Sequence, residues 1–140
     1  MRKILVGVDG SDESRDAARF AARIAQATES ALELAYVLPV VVDTGPDAVL
    51  NLAVWQQHLT EKARIVLDEM AQGVPRPNTP VETSLLEGHP AEALAREAKR
   101  SDVSMVIVGH RGRGAAARVL LGSVADRLVQ ICPKPVLVAR

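Results

Sequence analysis

Aromatic residues are almost absent. The 140-residue chain holds one tryptophan, one tyrosine and one phenylalanine, 2% of the total. Its core must therefore come from Ala, Val, Leu and Ile, which suits close packing of helices on a sheet. Cysteine occurs once, at Cys132, which excludes an internal disulfide and any cysteine-rich metal site. That residue lies in Cys-Pro-Lys-Pro ahead of a strand and reads as inert packing. Neither sign of charge dominates, since 17 basic and 17 acidic residues cancel. This balance argues against a dedicated nucleic-acid or membrane-surface binder. No stretch approaches the ~20 apolar residues of a membrane span. The opening MRKILVGVDGSDES has too short an apolar run for a signal peptide, and acids follow at once. The expectation is a cytoplasmic protein without membrane or nucleic-acid partners.

What is present is apolar residues, 48% of the chain, enough to rule out disorder. The length fits one domain over residues 1–140. Lys3 to Val8 is a continuous apolar run ended by Asp9-Gly10-Ser11, as in a strand buried on both faces. A helix should start near Ser11, with Asp12 and Glu13 in its first turn. Its inner stripe would be Ala17, Phe20 or Ala21, Ile24 and Ala27. Ala31 to Leu38 reads as the second strand, stopped by Pro39. After a turn-rich loop, a long helix is expected from about Asp47 to Gln72, with Gly73 as its C-cap. Leu52, Trp55, Leu59, Ala63, Val66 and Met70 form one stripe at helical spacing, which makes Trp55 a packing residue.

Val81 to Leu86 is a third strand, less apolar and so suited to an edge. Pro90 then opens a helix to about Arg100, with Ala91, Leu94, Ala95 and Ala98 inward. Val103 to Val108 is the fourth strand. A helix from Ser123 to Ile131 should turn Val124 and Leu128 inward, with Leu120 extending that face if the helix starts earlier. Pro135 to Ala139 is the fifth strand. Five strands alternating with four helices predict an α/β fold, a doubly wound parallel sheet with helices on both faces. Ligands of such sheets bind beyond the carboxyl ends of the strands. Two loops belong to that edge, Val8 to Ser11 and Gly109 to Ser123.

The second loop carries the chemistry. The strand empties into Gly109, Gly112 and Gly114, and a Gly122-Ser123 pair precedes a helix. Glycine lets backbone approach an anion, and a helix start points unpaired N–H groups at it. No G-x-x-x-x-G-K-[ST] segment exists, which excludes a P-loop. Gly112 to Ala117 matches the loose dinucleotide fingerprint, but after the fourth strand and without an acid about 20 residues on. The more specific pattern is Gly109-x2-Gly112-x9-Gly122-Ser123. With the opening KILVGVDGS, LAYVLP, EGHPAEAL and the closing KPVLV, the chain resembles a single-domain universal stress protein of the nucleotide-binding branch.

The resemblance implies an ATP ligand, with or without magnesium, and strand order 3-2-1-4-5. It implies that Gly109 and Gly112 wrap ribose and phosphates, and that Gly122 and Ser123 hold phosphate at a helix start. It sets Asp9 near the adenosine end, Gly7, Val8 and Val108 along the crevice, the backbone of Val37 against adenine, and Val124 beside Ser123. Arg111, like Arg113, lies within reach of phosphate. A plainer role competes at each position: Asp9 as a helix-start residue, the glycines as turns, Gly122-Ser123 as an N-cap, the arginines as solvated charges. His110 has no evident paired acid, and His58 and His89 read as surface and helix-cap residues. No hydrolytic machinery is evident, so the expected role is nucleotide-dependent regulation in a stress response, with at most slow ATP turnover. The rivals are a nucleotide hydrolase or transferase using the same pocket, and an apo interaction module. The implied strand order leaves Val136-Leu137-Val138 on an edge, so a homodimer through that strand is expected. A downstream protein partner is not named by any residue pattern.

Overall fold

The computed structural model describes residues 1–40, 45, 48–75, 77–110 and 121–140, with backbone alone at 48–51. Among them run β1 (Lys3–Val8), α1 (Asp12–Ala27), β2 (Ala31–Leu38), α2 (Ala48–Gly73), β3 (Val81–Glu87), α3 (Pro90–Glu97), β4 (Val103–Gly109), α4 (Ser123–Ile131) and β5 (Val136–Ala139). The strands form one parallel sheet in the order β3-β2-β1-β4-β5.

Alternation along each strand divides the interior into two cores. Ile4, Val6, Leu32, Leu34 and Ile107 face α1 and α2, while Leu5, Ala35, Val103, Val106 and Val108 face α3 and α4. The apolar run of β1 thus reflects burial on both sides rather than one. The inner face of α1 is Ala17, Ala18, Ala21, Ala22 and Ala25, all small, so the helix lies close on the sheet. The expected stripe needs two corrections. Ala21, not Phe20, is the buried alternative, and Ala27 is exposed because, at 3.6 residues per turn, it falls on the opposite side of α1 from Ala18, Ala21, Ala22 and Ala25.

A larger correction concerns α2. Ala63, Val66 and Met70 are buried as their spacing implied, but Trp55 is 59% exposed and does not pack in the core. The stripe is continuous in sequence, yet the sheet covers only its second half. The helix contacts β2 and β3, and Val54 and Trp55 in its earlier turns stay exposed. Gly73 lies inside α2 rather than beyond it. Helix α3 ends at Glu97, three residues early, because Ala98 to Asp102 form the tight connection into β4. Ala91, Leu94, Ala95 and Ala98 are nonetheless all buried. Leu120 falls outside the described residues.

The amino ends of the strands are closed by charge. Glu33 of β2 is 3% exposed and faces Arg100 at 3.1 Å. Arg100 also clamps Asp102 with two bonds, at 3.1 and 2.9 Å, and pairs with Glu97. Lys3 adds Glu82 at 2.7 Å and Asp102 at 3.6 Å. A buried carboxylate is tolerated only when paired in this way. The guanidinium of Arg100 holds the Asp102 carboxyl below the usual range, and the bond to Glu82 raises Lys3. The Asp102 contribution is present above about pH 3.9, its unfolded value, and is lost as pH falls through the lowered folded value. That of Lys3 is present below about pH 10.4 and is lost as pH rises through the raised one.

Arg100→Met leaves Glu33 buried against Lys3 alone. Breaking a fully buried pair costs ~3–5 kcal/mol. Arg100 is a third exposed, at 34%, so a loss of about 2 kcal/mol is expected at neutral pH. Urea denaturation measures it. The deficit should shrink as pH falls below about 3.9, the unfolded aspartate value, toward the lowered value that Asp102 has in the folded wild type. A pH-independent deficit would assign it to lost packing instead.

Candidate functional site

The carboxyl edge of the sheet begins where β1 ends. Asp9 follows Val8, and Gly10 turns the chain with φ of 83°, a left-handed value that favours glycine. The Ser11 N–H donates to Asp9 Oδ1 at 2.9 Å, and the Ser14 N–H donates to Ser11 Oγ at 3.2 Å. Ser14 is itself buried; its hydroxyl donates to the Ser11 carbonyl at 3.0 Å and accepts from the Asp9 N–H at 3.4 Å. The start of α1 is therefore capped by its own side chains. Ser14 was not singled out from sequence, although the S-x-x-S spacing from Ser11 carried the signal.

The start of α4 is the opposite case. Its N-cap is Gly122, with extended φ of −64° and ψ of 155°, and no side chain caps the first turn. First-turn N–H groups have no partner within their own helix, so this end carries the positive pole uncovered by any cap side chain. Two backbone bonds hold it in place. The Gly122 N–H donates to the His110 carbonyl, and the His110 N–H donates to the Ala139 carbonyl at 2.8 Å. The loop thus returns to the strand end it left. Arg111 and Gly112, with Arg113 and Gly114, lie outside the described residues.

The remaining predicted residues separate by face. Val108 is buried in the α3/α4 core, and Val37 and Val124 are half-buried against that same core. Val8 points to the other side, among the residues under α1, so only its backbone belongs to the α3/α4 side of the sheet. Gly7 is half-buried, and its lack of a side chain has a packing reason: a Cβ there would stand 2.6 Å from Leu94 Cδ1. Gly109 has one too. A Cβ there would meet the Glu13 carbonyl oxygen at 3.0 Å, so the first turn of α1 rests on this glycine. Ser123 opens α4 directly after Gly122. His58 is exposed, and His89 occupies the N-cap of α3 without a side-chain capping bond.

The crevice is electrically polar along its length. At β1 a carboxylate stands over the start of α1. Beyond β4 the start of α4 is capped by a buried glycine that makes no side-chain bond. An anion is favoured at the second and donor groups at the first. Among the described residues, no three His, Cys, Asp or Glu side chains converge to hold a metal ion.

The universal stress protein family model matches residues 1–140. The chain belongs to the universal stress protein family. It is 32% identical over 140 residues to the Thermus aquaticus universal stress protein in the QAH/OAS sulfhydrylase 3′ region, covering 99% of this chain and 98% of that one. Its fold is similar to that of the universal stress protein UspA from Lactobacillus plantarum, with a TM-score of 0.89, 26% identity, and 99% and 97% of the two chains covered. The universal stress protein from Archaeoglobus fulgidus in complex with dAMP shares the fold at a TM-score of 0.72 and 22% identity, covering 100% of this chain and 98% of that one. The five-stranded parallel sheet, its 3-2-1-4-5 order and the helices on both faces are thus those expected of a universal stress protein.

Gly109→Ala tests the packing role of the β4 end. The new methyl would press on backbone atoms of α1, which cannot rotate away as a side chain does. Overpacking of this kind costs about 1–3 kcal/mol. Denaturant titration of the ligand-free protein should show that loss. Unchanged stability would mean that Gly109 is not required by the contact with Glu13.

Proposed function

We propose that this universal stress protein, a single domain over residues 1–140, binds ATP at the carboxyl edge of the sheet and acts as a nucleotide-dependent regulator in a stress response. The observation that carries this reading is the glycine-capped start of α4, tied back to the end of β4, opposite the serine-capped start of α1 with the Asp9 carboxylate behind it. Phosphates suit Gly122 and Ser123, where the backbone is bare and the serine adds a hydroxyl. Asp9 suits the adenosine end, where ribose hydroxyls or the adenine amine donate. Gly7, Val8, Val37, Val108, Gly109 and Val124 line the path between, and Arg111 and Gly112 complete it from the loop. Support comes also from the Archaeoglobus fulgidus relative, whose structure holds dAMP.

Magnesium would enter with the phosphates. Asp9 lies at the proposed adenosine end, and one of its oxygens accepts from the Ser11 N–H. Phosphoryl transfer needs protein-held metal and a positioned nucleophile. The proposed role is therefore binding with at most slow ATP turnover. Among the described residues no helix is long and apolar enough to cross a membrane, consistent with the proposed cytoplasmic setting.

Gly122→Ala with Ser123→Ala should weaken ATP binding at least tenfold. A hydrogen bond to a charged group is worth ~1.5–3 kcal/mol, and the added methyl obstructs the approach to the N–H groups. Calorimetry on the folded double mutant reads this. Unchanged affinity would move the phosphates elsewhere, and rapid release of labelled γ-phosphate by the wild type would favour a hydrolase.

We also propose a homodimer through β5, which has β4 on one side and no strand on the other. The carbonyls of Pro135 and Ala139 point to β4, accepting from Val106 and His110 at 2.9 and 2.8 Å. Strand alternation then turns the N–H and C=O of Val136 and Val138 outward. Val138→Pro removes an outward donor and keeps the β4 ladder, whereas a proline at Leu137 would break that ladder. Sedimentation should show a wild-type dimer and a folded Val138→Pro monomer. A monomeric wild type would refute the dimer, and a dimeric, folded Val138→Pro protein would place it on another surface.

A further inference from the structure

A cavity of about 650 Å³ lies on the far side of α1 from the crevice, between that helix and β5. Its apolar lining comes from Phe20, Pro75, Leu137 and Ala139, and its charged lining from Asp16, Arg19, Arg23 and Arg140. Small-molecule pockets typically span about 300–1,000 Å³ and join an apolar body to a few polar groups. The volume is in that range, and the lining has that character.

The charges around it are unbalanced. Arg19 pairs with Asp16 at 3.2 Å. Arg23 and Arg140 make no ion pair among the described residues. Among the lining side chains, three guanidinium groups stand against one carboxylate over an apolar floor. The Arg23 guanidinium is also held, 5.2 Å from the centre of the Phe20 ring. A cation stacked on an aromatic face has lost part of its freedom before any anion arrives. Phe20 is the chain's one phenylalanine and is only half-buried. The α1 core does not need it, since alanines fill that face.

We propose that this cavity is a second binding site, for a small amphipathic organic anion with an apolar body and a carboxylate or sulfonate head. The body lies on Phe20, Leu137 and Ala139, and the head meets Arg23 and Arg140. Its floor is the α1-side face of β5, whereas a second copy of the chain would pair with the outward edge of that strand. The lining includes none of Asp9, Gly122 and Ser123, whereas Val138 of the outward edge of β5 does contribute to it.

Anilinonaphthalene sulfonate is a suitable probe, because it joins an aromatic body to one sulfonate and its fluorescence rises on binding. Titration should show saturable binding that dodecanoate displaces and excess ATP does not. Arg23→Gln should weaken it about tenfold, the worth of one charge-assisted bond. Phe20→Ala should weaken it as well. Arg15→Gln, on the same helix but outside the cavity, should leave it unchanged. Displacement by ATP would put the probe in the nucleotide crevice and overturn the assignment. So would equal affinity in a folded Arg23→Gln protein, or an equal loss in Arg15→Gln, which would show attraction to net charge alone.

Discussion

The central strands have no polar face. Leu5 and Val6 of β1, and Val106 and Ile107 of β4, are completely enclosed, one of each pair under each helical layer. Polar chemistry can enter such a sheet only at the two ends of its strands. Those ends are treated differently. At the amino ends Arg100 and Lys3 neutralise a cluster of carboxylates and close the edge. At the carboxyl ends the first turns of α1 and α4 emerge. The location of the candidate site follows from this asymmetry before any residue role is assigned.

Close approach of the helices is the second requirement, and it governs the glycines. Gly7 accommodates Leu94 of α3 from one face, and Gly109 accommodates Glu13 of α1 from the other. Both therefore serve packing in the ligand-free protein. The alanine-rich face of α1 expresses the same constraint along its whole length.

Much of this was legible because continuous apolar runs, Ser11, Pro90 and the glycines are local signals. The sheet order was readable only through family resemblance, since strand pairing is set by long-range contacts. Trp55 shows where periodicity stops being informative. A stripe marks which face of a helix is apolar, but not how far the sheet extends beneath it, and Trp55 lies beyond that reach. Ala27 fails for a different reason, since the drift of a three-residue spacing carries it round to the side of α1 opposite the buried alanines. Asp9 was visible as an acid at a strand end. That its carboxylate would cap the very next turn depends on the left-handed Gly10 between them. The opposite characters of the two helix starts could not be read without cap geometry, because Ser11 and Ser123 look alike in sequence. Ser11 caps its helix, whereas Ser123 is the first residue inside one.

The two proposed functions of the carboxyl edge meet at one residue. His110 accepts from Gly122, the cap of α4, and donates to Ala139, the last residue of β5. The cap that would meet phosphate and the strand that would meet a second copy are thus two backbone hydrogen bonds apart. Neither bond involves a side chain, so substitution of the imidazole leaves the path intact. A ligand that shifts Gly122 acts on the end of β5 through the main chain itself. Differential contacts of this kind are what ligand-dependent association requires, since a ligand changes an equilibrium only by favouring one of its states. If the proposed nucleotide site is at this edge, the main chain supplies a physical route from it to the end of β5.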